Sequence, residues 1–191
     1  MENLENQKLP EGKSENPEIL QEIKLFDYER TKEDTEEWLV GQDIPDILWD
    51  RVKGVNPELT LGELLGKIKK ELFDIYDTKR DHAKSFADSR FSSLSEMIER
   101  GMVSCGALAN IFGNVLRKFK IPTKFVHGRY SYQTLEKENR HSWLEIYNPL
   151  DGAWVKIDPT KNDFKVLPET IQLRAYHNWQ ELREDYNKRD F

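Results

Sequence analysis

The chain has a single cysteine among 191 residues, Cys105, so no internal disulfide can form. A reducing cytoplasm is the compartment this predicts. No apolar run approaches the roughly 18 residues of a membrane span, so no membrane-crossing helix is expected. The opening MENLENQKLPEGKSENPE has neither a basic start nor an apolar stretch, and it does not read as a signal peptide. Basic residues are outnumbered 29 to 35, giving a net charge of −6, and they form no stripe. Nucleic acid is therefore not an expected partner. Histidine and cysteine show no paired-ligand spacing, so neither a metal nor another cofactor is implied. Internal repeats and low-complexity tracts are lacking too. What these absences leave is one globular domain, long enough to bury a core.

What is present is unevenly spread. Charge crowds the two ends, while the middle is rich in aromatic and β-branched residues. Residues 1–16 read as a disordered tail, 17–58 as a helical N-terminal extension, 59–165 as the core and 166–191 as a C-terminal segment. Short helices are expected over 17–40 and from Pro45 through Val52. Thr60 and Glu63 form a capping box, and Leu61, Leu64, Leu65, Ile68, Leu72 and Ile75 then recur at helical steps to about residue 80. Residues 80–93 read as helix continuation or loop. Ser93 and Glu96 begin a short helix ending near Gly101, and a further helix spans 105–119 until Ile121-Pro122 stops it. Strand-like stretches follow at 123–132, 141–148 and 153–160, joined by the polar EKENR and the turn NPLDG. A helix at 177–188, with Trp179 and Leu182, packs on the core. The expected class is α+β: a helix followed by an antiparallel meander.

Cys105 by itself reads as a small buried apolar residue. Its position adds something. Ser104 can cap the helix, which places Cys105 at the first helical position, where the helix dipole favours a thiolate. Gly106 leaves the backbone uncrowded for a substrate, and N–H groups here can face an oxyanion. His141 opens the second strand and shares a face with Trp143, Glu145 and Tyr147. With the turn centred near 150–151, residue 141 lies opposite 159–160, which brings Asp158 close to His141. A nucleophile, a base and an orienting carboxylate make a triad arrangement. For Glu145 a cross-strand ion pair is the simpler reading, and for His127 a hydrogen-bonded or exposed histidine. Trp143 and Trp154, with Tyr130 and Tyr132, either line a cleft or fill the core.

At these residues the sequence resembles the transglutaminase-like superfamily, with its papain-like Cys-His-Asp core. SCGALANIFGNVLRKFKIPTKFVHG is similar to the family's nucleophile helix and first strand, HSWLEIY to its His-x-Trp-x-Glu-x-Tyr strand, and WVKIDPT to its Trp-x-x-x-Asp-Pro-Thr strand. The order is Cys, His, Asp, with gaps of 36 and 17 residues. The resemblance implies Cys105 as nucleophile, His141 as general base and acid, and Asp158 as orienter. Ser104, Gly106 and Trp143 are the candidate substrate contacts, while Trp154, Pro159 and Thr160 look like structural parts of the motifs. Val103 and Lys120 depart from the pattern, since many relatives carry glycine there.

The resemblance implies a papain/transglutaminase-like fold and an acyl-enzyme reaction on an amide of a peptide or protein. Hydrolysis, as in a peptidase, deamidase or amidase, is favoured over transamidation to an amine. The alternative from another class is a catalytically silent interaction module, and the presence of all three residues argues against it. The N-terminal extension reads as a structural wrap before a docking surface or lid.

Overall fold

The computed structural model describes residues 17–30, 35–78, 92–130, 140–166, 170–177, 180–181 and 184–185. The expected tail at 1–16, the stretch 80–91 and Trp179 and Leu182 of the expected last helix lie outside these residues. Three 3-10 turns open the described chain, Pro17–Gln21, Leu25–Arg30 and Glu36–Leu39. Four helices follow: α1 (Asp46–Val52), α2 (Leu61–Thr78), α3 (Leu94–Glu99) and α4 (Cys105–Lys118). Then come β1 (Thr123–Tyr130), β2 (Arg140–Tyr147), β3 (Trp154–Ile157) and β4 (Thr170–Tyr176). The fold is α+β.

Local chemistry sets the helix starts. At α2 the capping box is reciprocal: Glu63 N–H donates to Thr60 Oγ1 at 3.2 Å, and Thr60 N–H donates to Glu63 Oε2 at 2.8 Å. At α3 only half of the box forms. Ser93 Oγ accepts from Glu96 N–H, and the Glu96 carboxylate turns instead to Arg100, 3.0 Å away. Both α3 and α4 end in the same crossed pair of backbone bonds, with a left-handed residue one step past the cap. In α3 that residue is Gly101 (φ 60°); in α4 it is Lys120 (φ 64°). Lys120 N–H donates to Arg117 O and Ile121 N–H to Leu116 O. A glycine would meet this left-handed backbone freely, while lysine meets it under strain.

The sheet order is β3-β2-β1-β4, all antiparallel. The first three strands form the expected meander. β4 is a departure, because the C-terminal segment was expected to contribute a helix and instead also adds a strand to the free edge of β1. TIQLRAY carries a polar or charged residue at every second step, an edge-strand pattern flanked in sequence by Pro168 and Asn178. Helical backbone does appear at 180–181 and 184–185, inside the expected last helix.

α4 is buried at every residue from Gly106 to Arg117, so it is a central helix and not a surface one. It lies across β1 and β2. At Gly113 a Cβ would come within 2.6 Å of the Phe125 ring, so glycine permits the approach. Phe125, Leu144, Ile146, Val155 and Ile157 join the core beneath it. α2 and α3 close the other side, and Leu64, Leu65, Ile68 and Leu72 are fully buried. The N-terminal part is fastened to this core by long-range bonds. Gln42 N–H donates to Asn114 Oδ1 at 2.6 Å, Tyr28 Oη donates to Tyr147 O, and Arg117 bonds the carbonyls of Val40 and Thr123. Trp38 caps the other sheet face, meeting Trp154 edge-on at 5.7 Å. Between them, Lys124 lies over the Trp154 ring at 3.6 Å.

Candidate active site

Ser104 caps α4, its Oγ accepting from Ala107 N–H at 3.3 Å. Cys105 is therefore the first helical residue, and it is half-buried. Ser104 acts on the helix start and Gly106 is buried behind the thiol. β2 brings His141 to this point. The β2–β3 register pairs Leu144 with Ile157 and Tyr147 with Trp154, and its continuation sets His141 opposite Thr160. That is the register expected from the turn at 148–152. His141 Nε2 and Asp158 Oδ2 are 2.7 Å apart, both side chains buried. The imidazole also interacts with the Cys105 thiol, each favouring the charged form of the other.

Asp158 is itself fixed. Its Oδ1 accepts from Thr160 N–H at 2.9 Å and from Thr160 Oγ1 at 2.7 Å. This is an Asx-type turn that the Asp-Pro-Thr run makes possible. The carboxyl is held below its ordinary range: burial opposes ionisation, but the bond and charge of His141 and the two Thr160 donors outweigh it. For His141, burial disfavours the imidazolium, yet Asp158 and Cys105 together push it up to about 9. Cys105 moves the opposite way. Burial raises the thiol, and the His141 bond and charge, with the N–H groups of Ser142 and Gly106, bring it below its usual value. These shifts favour a thiolate–imidazolium pair.

Trp143 is fully buried, its ring nearly parallel to His141 with centroids 6.4 Å apart. It backs the imidazole and has no surface open to a substrate, and its indole N–H finds no acceptor among the described residues. Glu145 stands opposite Lys124 and Lys156 in register; burial raises its carboxyl, and the two lysine charges work against that. His127 is bonded through Nδ1 to Ser142 Oγ at 3.2 Å.

Sequence reasoning missed three features of this site. They are the Ser142 N–H on the sulfur, Tyr76 and Lys69. Tyr76 Oη donates to Met102 O, three residues before Cys105, and Lys69 reaches the turn after Asp158. All three are contacts between residues far apart in the chain, for which no local pattern exists. A cavity of about 770 Å³ lies elsewhere, against Phe119 and Lys120 beyond the opposite end of α4, and is lined by Phe26, Leu39, Val55 and Pro57.

A 91-residue stretch is 23% identical to the peptide-N(4)-(N-acetyl-beta-glucosaminyl)asparagine amidase of Drosophila melanogaster, covering 48% of this chain and 12% of that protein. A solved structure of a candidate cysteine protease from Cytophaga hutchinsonii superposes with a TM-score of 0.50 at 13% identity, over 78% of this chain and 48% of its own. This chain thus spans a small part of the amidase and about half of the solved protein. The sequence pattern of the transglutaminase-like superfamily matches residues 55–159, more than half of the chain, a span within which Cys105, His141 and Asp158 lie. The chain belongs to the transglutaminase-like superfamily.

Proposed function

We propose that this protein is a thiol enzyme that cleaves an amide through a thioester on Cys105. The observation that carries the reading is the 2.7 Å bond between His141 Nε2 and Asp158 Oδ2, supported by the mutual influence of His141 and the Cys105 thiol on each other's charge. The thiolate adds to the amide carbonyl carbon, forming the C–S bond and an oxyanion. The Cys105 N–H, at the first position of α4, is the donor we assign to that oxyanion. The intermediate collapses, the C–N bond breaks, and the amine leaves with the proton held by His141. His141 then takes a proton from water, which adds to the thioester and releases the acid and the thiolate. Asp158 holds the ring and its charge throughout. Amidase and protease descriptions of the similar proteins support an amide of a peptide or protein as substrate class. An amine in place of water would give transamidation, and nothing in the site selects for an amine.

Alkylation by iodoacetamide near neutral pH tests the nucleophile. Cys105 in the wild type should react faster than a free thiol, and His141→Ala should abolish that advantage. Equal rates in the two proteins would refute the assignment. Release of ammonia or amine from a peptide substrate, without incorporation of an added labelled amine, distinguishes hydrolysis from transfer.

A further inference from the structure

We propose that Lys69 is a positioning residue of this site: its ammonium, reaching across from α2, pins the turn that carries Asp158 by donating to the carbonyls of Pro159 and Lys161. The distances are 3.3 and 2.6 Å. The inference rests on the Cys105–His141–Asp158 reading above.

Within the turn, Thr160 donates to Asp158 Oδ1, Asp158 N–H donates to Phe164 O, and Lys161 N–H donates to Asp158 O. These bonds give the turn its form. Its start is tied to β2 by the His141 bond, and Phe164 packs on Phe112 of α4. Lys69 adds the link to α2, at a sequence separation of 90 to 92 residues. The Phe164 ring lies 5.2 Å from the ammonium and closes its other side. A solvated lysine would keep its head in water. This one is half-buried, with burial working against its charge and Asp158 and Asp163 working for it. Tyr76 is seven residues further along α2, two turns on and close to the same face. Its hydroxyl holds Met102 O, just ahead of Cys105. One helix thus grips both the segment leading into the thiol and the segment following the carboxylate. It sets their separation, and with it the fit of His141 between them.

The groups bearing on His141 and Asp158 are Cys105 from α4, Thr160 in the turn and Lys69 from α2, while Asp163, in the same turn, bears on Lys69. A positive charge beside Asp158 by itself weakens the pull of that carboxylate on the His141 proton. Pinning the carboxylate strengthens it. Removing Lys69 therefore gives opposite signs for the two effects.

The test is an NMR titration of the His141 ring, assigned with His141→Ala, in the wild type, Lys69→Met, Lys69→Gln and Lys69→Arg. In Lys69→Met the His141 midpoint should fall by about one pH unit, a tenfold loss of proton affinity. Lys69→Gln, a second neutral variant with a shorter donor, should fall in the same direction. Lys69→Arg, which keeps the donors and the charge, should stay near the wild type. A midpoint that is unmoved or rises in both neutral variants overturns the proposal, whatever happens to the melting temperature. The readout needs no catalysis. A wild-type midpoint at the ordinary histidine value would count against the Cys-His-Asp reading itself, while the difference between variants would still judge Lys69.

Discussion

Replacing Asp158 by Asn removes the negative charge and one of two acceptors, since the single amide oxygen can serve Thr160 or His141 but not both. In the wild type His141 is pushed from 6.5 to about 9, with the Asp158 bond the largest influence raising it. That gap is worth about 3 kcal/mol of preference for the charged ring in the fold. Since the folded value lies above the unfolded one, this stabilisation is fully present below about pH 6.5. It fades as pH rises through 9. Asp158 has its folded value lowered, so its share is present at neutral pH and is lost as pH falls below the ordinary carboxylate range. Cys105, also lowered in the fold, adds a share that grows as pH rises towards the ordinary thiol value. Wild-type thermal stability should thus show a broad maximum above about pH 4 that falls away as pH rises through 9. In Asp158→Asn the ring stays buried without its counter-charge, the His141 midpoint drops, and Cys105 loses the imidazolium that lowered it. Each pH unit by which the thiol rises cuts the thiolate fraction about tenfold on the rising limb. The assay is the iodoacetamide rate from pH 4 to 10, with melting curves over the same range. We expect the rising limb to move up by at least about one pH unit and the stability peak to flatten. An unmoved limb with an unchanged peak would refute the ion-pair reasoning.

Two further substitutions probe the fold that carries the site. Lys120→Gly removes a left-handed lysine from the end of α4 and should stabilise by about 0.5–1 kcal/mol, partly offset by unfolded-state entropy. A thermal melt raised by a few degrees checks it. Gly113→Val drives a branched side chain into the Phe125 and Leu144 contact and should cost about 1–3 kcal/mol, read by urea denaturation as an earlier midpoint.

Much of the site was legible because its parts carry local signatures. Ser104 before a helix, His141 at the head of an alternating strand, and Asp-Pro-Thr closing the next strand are each short patterns. The turn at 148–152 alone fixed the register that brings Asp158 to His141. The helix at 61–78 was equally plain from its capping box and apolar spacing. What stayed hidden depends on contacts between distant residues. β4 is a strand because β1 offers it an edge, and Lys69 matters because of a turn some ninety residues away. The division at 58/59 was drawn from composition, which registers where charge is dense and not where hydrogen bonds cross.

Those crossing bonds bear on how the chain melts. The Arg117 guanidinium is buried, pressed over the Phe125 ring at 4.6 Å, and among its acceptors is Val40 O. Peeling away the N-terminal stretch would leave a buried cation short of an acceptor and Asn114 without Gln42, each a penalty of kcal/mol size. Partial opening at that seam is thereby disfavoured relative to complete unfolding. The wrap and the core should lose structure in one transition, reported alike by every probe.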